Sequence, residues 1–168
     1  MNRCDLKTVH LLSRNPKVEV AESTGFLHYT MPMNTTVPPF DNNDVRLALK
    51  LAVDREALLK TILKGHGTLA NDHPISPAVP FHAGDLPQRS YDPDKAKFHL
   101  KKAGMDSLAL DLSAADAAFG GAVDAAVLYK EHAAAAGIEI NVVREPNDGY
   151  WSNVWMQKPW CMCFWGGR

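Results

Sequence analysis

The apolar positions along this chain change their period several times, and each change marks an element. Between Asp5 and Arg14, Leu6, Val9, His10 and Leu11 recur on neighbouring turns and predict a short helix that stops at Asn15-Pro16. Val18-Glu19-Val20 alternates like a strand, Glu22 to Gly25 reads as a turn, and Phe26 to Met33 reads as a second strand. The polar run Asp41 to Asp44 then offers capping side chains ahead of Val45, Ala48, Leu49 and Ala52, which recur at helical spacing. Asp54 caps a further turn, and Ala57, Leu58, Ile62 and Leu63 carry the period to Gly65.

Periodicity lapses from His66 to Ser90, a stretch with four prolines that predicts a long loop. It returns at Tyr91-Asp92-Pro93-Asp94. There Asp92 serves as a cap, Pro93 fits the first helical position and Asp94 suits the positive end of the helix dipole. That helix closes at Gly104. Leu108, Leu110 and Leu112 alternate as a strand, Gly121 to Ala136 reads as a helix, and Ile138, Ile140 and Val142 alternate again. Asn147 heads a predicted last helix through Gln157, and Trp160 to Trp165 reads as a final strand. The strand, helix and strand between Leu108 and Val142 predict a βαβ crossover, so the expected class is α/β.

Composition narrows the classes of function. Apolar residues are 46% and charged residues 22% of 168, values of an ordinary globular domain with a core of its own. Lys plus Arg is 18 against 19 for Asp plus Glu, a balance that argues against a dedicated nucleic-acid binder. No apolar run reaches the length of a membrane span, and Met1-Asn2-Arg3-Cys4-Asp5 leads into no secretory h-region. Three cysteines cannot all pair within one chain, so a disulfide framework is not expected. Cys161 and Cys163 have the wrong spacing for a structural zinc site, and no histidine cluster supports a metal; burial is the expectation for both. No phosphate-binding loop, dinucleotide fingerprint or nucleophile elbow is present. No cofactor is expected.

One segment carries a resemblance. Asp44-Val-Arg-Leu-Ala-Leu-Lys-Leu-Ala-Val-Asp-Arg-Glu-Ala-Leu58 resembles the pattern vR-x-A-l-x-x-A-i-D-R-e-x-l of extracellular solute-binding proteins of ABC importers, family 5, the dipeptide, oligopeptide and nickel type. Supporting segments follow in the family's order: Pro39-Phe40-Asp41 before it, then Gly65-His66-Gly67, Tyr91-Asp92-Pro93-Asp94-Lys95-Ala96, Ala103-Gly104, Gly137-Ile138 and Tyr150-Trp151. Members fold as two lobes that close on a ligand. The resemblance implies a type II periplasmic-binding-protein-like lobe with a mixed sheet flanked by helices. Residues 1–168 would form a single unit, a partial second lobe, with 66–90 as its long loop. It further implies a small solute, most readily a peptide, held between this lobe and a first lobe lying elsewhere and delivered to an ABC permease. The expected place is the periplasm or the extracellular side, with no signal peptide in this stretch.

The resemblance also ranks residues. Arg46 and Asp54, eight positions apart, match its strongest positions; an ion pair or a cap tying two helices competes there with a ligand contact, and the structural role is preferred. Asp92 is structural as a cap. In peptide-binding relatives the strand end matching Trp165 lines the cleft, which makes Trp165, Gly166 and Cys163 ligand candidates. Arg168 stands about where relatives carry the acid that holds a peptide amino group, and a guanidinium suits a carboxylate or phosphate better. For Trp160, Phe164 and Trp165 the plain alternative is core. Two rival readings remain: a small α/β hydrolase or thiol enzyme using Cys161 or Cys163, and an interaction domain whose contact surface is the 66–90 loop.

Overall fold

The computed structural model describes residues 4–23 and 25–166. Two parallel strands, β2 (Leu108–Ala114) and β3 (Ile138–Arg144), pair in register from Leu108 opposite Ile138 to Ala114 opposite Arg144. The helix α5 (Ala122–Ala134) joins them, which is the predicted βαβ unit. Strand alternation puts Leu108, Leu112, Ile138 and Ile140 on the face packed into the core, each 9% exposed or less. The opposite face is polar, and there Asn141 donates to Asp111 across the strands at 2.7 Å.

Three helices complete the core. In α2 (Asn43–Leu51), Val45, Ala48 and Leu49 are buried at the expected period, and Asn42 caps the helix by accepting from the Asp44 N–H. Asp54 caps α3 (Arg55–Thr61) through the Ala57 N–H, and Asp92 caps α4 (Pro93–Lys102) through the Lys95 N–H. Buried Ala96 and Leu100 of α4 face the core that α2 lines, and the Tyr129 hydroxyl of α5 reaches the Leu49 carbonyl at 2.7 Å. Burial drives that phenol's pKa far up, so it stays a donor at every working pH. Replacing Asp92 with alanine removes the α4 cap and is expected to cost about 1 kcal/mol. A shift in urea midpoint without change of slope reads it, and an unmoved midpoint would show the cap to be idle.

Arg46 and Asp54 form no ion pair among the described residues. The Arg46 guanidinium instead donates to the carbonyls of Phe40 and Asp41, at 2.6 and 3.1 Å, and to Asn43. It thus locks the turn before α2, while Asp54 works separately as a cap.

Several expected elements come out shorter. The helix expected over Asp5 to Arg14 is a single turn, α1 (Val9–Leu12), with no side-chain cap and no buried residue. Val18 to Val20 is no strand: both valines are 40% exposed, and alternation without a partner cannot hold a ladder. Of Phe26 to Met33 only β1 (His28–Thr30) pairs continuously, since Pro32 has no N–H to offer, and Met33 makes one isolated bridge to Trp160. The helix expected from Asn147 to Gln157 shrinks to α6 (Tyr150–Asn153), started by Gly149 in the left-handed region. The Asn147 side chain is used elsewhere, accepting from the Ala117 N–H at 2.8 Å. The last strand, β4 (Cys163–Trp165), is preceded by bridges at Trp160 and Cys161.

Candidate functional site

In a parallel α/β sheet the carboxyl ends of the strands are where ligands are met, because loops and helix N-termini converge there. Here those ends are Ala114 and Arg144, followed by the loops 115–121 and 145–149. The two loops hold each other. The Asn147 bond to Ala117 spans them, Glu145 N–H donates to the Ala114 carbonyl at 2.9 Å, and the Ser113 hydroxyl donates to the Glu145 carboxylate at 2.9 Å. Asp116 accepts from the Gly121 N–H at 3.2 Å, closing the first loop onto α5. Gly121 needs its freedom: its φ is +87°, and an added Cβ would meet Ile62 at 3.0 Å.

A ribbon stands beside this edge. Cys161 bridges Ser113 in parallel, so the chain from Cys161 to Trp165 runs on past the end of β2. It then pairs antiparallel with β1, with His28 opposite Trp165, Tyr29 opposite Phe164 and Thr30 opposite Cys163. Residues directly opposite share a face. One face therefore carries Tyr29 and Phe164, the other Trp165, Cys163 and Thr30. On the first, Phe119 of the 115–121 loop stacks on Tyr29 at 4.0 Å between ring centres, and Trp151 meets Phe164 edge-on at 5.4 Å. On the second, the Trp165 indole donates to the Thr30 hydroxyl at 3.1 Å and meets Trp155 at 5.5 Å.

The four ligand candidates separate. Trp165 is 40% exposed beside the strand ends, so it is not core as Trp160 is. Gly166 is exposed, and nothing lies close enough to require a glycine there. Cys163 is 2% exposed and offers a ligand no thiol surface. Arg168 lies outside the described residues. The loop 115–121, with Asp116 and Phe119, was not singled out from the sequence. Its place between a strand and the following helix was the signal that could have found it.

The thiol-enzyme reading does not survive the geometry. Burial pushes the Cys161 thiol up to about 11, and burial also raises Cys163. Tyr150, whose hydroxyl donates to the Met162 carbonyl at 2.7 Å, is itself raised by burial and cannot act as a base for them. Among the described residues no group of three or more His, Cys, Asp or Glu is placed to hold a metal ion.

Two other features are candidates. A cleft of about 570 Å³ lies against the polar side face of β2 and β3, between Asp111, Asn141, Pro38 and Trp160. Its lining runs along the strands from Ala109 and Glu139 to Ser113 and Val143. The 66–90 loop has no helix or strand, and its neck is tied by Asp72, which pairs with Arg55 at 2.7 Å and Arg89 at 3.1 Å. Tyr91, two residues on, bonds the His132 carbonyl near the far end of α5. The neck thus sits beside the C-terminal end of α5.

A βαβ unit whose strand ends meet an aromatic ribbon has the architecture of a lobe of the periplasmic-binding-protein class. The chain matches the bacterial extracellular solute-binding proteins, family 5, middle region, over residues 2–167, and it belongs to that family. It is 37% identical over 93 residues to heme-binding protein A of Haemophilus influenzae, covering 55% of this chain and 17% of that protein. It is 37% identical over 94 residues to the glutathione-binding protein GsiB of Pectobacterium atrosepticum, covering 56% and 18%. Its fold matches the periplasmic binding protein DppA of Helicobacter pylori, solved with the peptide STSA, at a TM-score of 0.85 and 24% identity, over 96% of this chain and 31% of that one. The aligned part is therefore less than a fifth of either curated relative.

Proposed function

We propose that this chain is most of the second lobe of a two-lobed solute-binding protein, the substrate-binding component of an ABC importer. Family membership and the fold support this reading. The observation that carries it is the ribbon. β1 and β4, near opposite ends of the chain, lie side by side at the carboxyl edge of the sheet, where a first lobe would join and a solute would be enclosed. Ligand contacts from both lobes favour the closed state, and closure presents the loaded protein to the permease. The lobe carries no catalysis of its own. No helix among the described residues is long and apolar enough to cross a membrane. The place of action is the periplasm or the extracellular side.

The solute we propose is a peptide or peptide-like molecule, with Trp165 and Gly166 at its edge. The peptide in the structure of the Helicobacter protein supports that class. A thermal-shift screen of the full-length protein against peptides, oligosaccharides, opine-like acids and metal chelates tests it. A peptide at a hundredfold excess over Kd is expected to add about 2.7 kcal/mol of stability. A shift with another class alone would replace the peptide assignment. The absence of any shift, with the protein folded, would remove the solute-binding reading.

A further inference from the structure

The aromatic side chains around the ribbon are more numerous than one Trp contact requires, and they are not spread evenly. Phe119, Tyr29, Phe164 and Trp151 form one continuous wall: Phe119 on Tyr29, Tyr29 opposite Phe164, Phe164 against Trp151. Phe119 packs against the core at one end of this wall, but the core's fully buried rings are Trp160, Tyr150, Tyr129 and Phe40, all 2% exposed or less. Tyr29 is 37% and Trp151 42% exposed, so two of the four rings keep open surface beside the strand ends.

Resting on the reading as a peptide-binding lobe, we infer that this wall selects solutes carrying an aromatic or other flat apolar group. The stacked Tyr29–Phe119 pair would seat that group. Its position at the carboxyl ends of β2 and β3 makes it continuous with the site. The wall is also held before any ligand arrives: the loop bearing Phe119 is fixed by the Asp116 bond to Gly121 and the Asn147 bond to Ala117. A preorganised surface loses little entropy on binding. Offset or edge-on ring contact adds affinity beyond burial alone, whereas a carboxylate side chain would lose its hydration against the ring faces.

The test is calorimetric titration of the full-length protein with Ala-Phe-Ala, Ala-Trp-Ala, Ala-Ala-Ala and Ala-Asp-Ala. The two ring-bearing peptides are expected to bind about tenfold tighter than Ala-Ala-Ala. Phe119→Leu keeps most of the volume and removes the ring, and should reduce that preference to roughly threefold or less. Trp151→Leu gives the same reading at a surface position should the first variant fold poorly. Phe81→Ser, 86% exposed on the 66–90 loop, serves as the unaffected control. Equal affinity for all four peptides, or a preference untouched in both variants, would overturn the inference and leave the transport reading standing. It would also assign the rings to contact with the first lobe. No binding by any of the four would overturn the peptide assignment, and this inference with it.

Discussion

Replacing Trp160 with alanine is expected to cost about 3–5 kcal/mol, the range for deleting a buried aromatic. That is a large part of the roughly 5–15 kcal/mol that holds a domain together. Trp160 is 2% exposed. Its ring meets Tyr129 of α5 edge-on at 5.7 Å and Phe40, in the turn before α2, at 5.9 Å. Its indole N–H donates to the Met31 carbonyl beside β1 at 3.2 Å. Its own carbonyl accepts from the Ser113 N–H of β2 at 3.2 Å. This one residue therefore joins the helical layer, the sheet and the ribbon, its ring and indole N–H holding the first and last and its backbone carbonyl the sheet. Urea unfolding of the chain measures the loss. Trp160→Phe separates the two contributions: it keeps most ring contact but orphans the Met31 carbonyl, for a cost of about 1–3 kcal/mol. A loss below roughly 1 kcal/mol in the alanine variant would show that the core does not pass through this residue.

What could be read from the sequence was local. Asp54-to-Ala57 and Asp92-to-Lys95 caps lie within three residues, and the buried face of α2 follows from period alone. The crossover of β2, α5 and β3 needed only alternation, a helix of sufficient length and the handedness of the chain. What could not be read was non-local. β1 finds its partner β4 more than 130 residues away, so neither length nor face could be set in advance. The expected last helix was too long because Asn147, a good cap by type, is spent on Ala117 thirty residues back.

Face assignment on the ribbon shows how parity decides a site. Phe164 and Trp165 are neighbours in sequence, yet one joins the wall with Phe119 and the other pairs with Trp155 on the opposite face. A reading by residue type selects Trp165. Only the register with β1 reveals that Tyr29 and Phe164 look toward the loop after β2. That loop itself, Ala115 to Gly121, is rich in alanine and glycine and gives composition nothing to seize on. The 66–90 loop is the converse case, singled out by its length alone. Its length invites a role at the ligand; Asp72 and Tyr91 tie its neck to α3 and the C-terminal end of α5, while its first residues follow Ile62, which lies against Gly121.

The buried thiols give the second large effect. In the native chain Cys161 and Cys163 are expected to resist alkylation while Cys4, half-buried near the start, reacts. The thiolate is the attacking species. Raising Cys161 from 9.0 to about 11 leaves about a hundredfold less thiolate at neutral pH. Burial at 2% exposure then closes the approach as well, so labelling should proceed only through opening of the fold. Iodoacetamide labelling followed by mass spectrometry should find one modified cysteine in native buffer and three in denaturant. The same shift predicts alkaline sensitivity. A thiol whose folded pKa lies above its unfolded value gives stability that is complete below about pH 9 and is lost as pH rises toward 11. Replacing Cys161 with alanine should therefore flatten the alkaline limb of a stability–pH curve while lowering its plateau by the cost of the lost packing. If Cys161 or Cys163 reacts in native buffer as fast as Cys4, the thiols are accessible, and a chemical role for that strand returns to consideration.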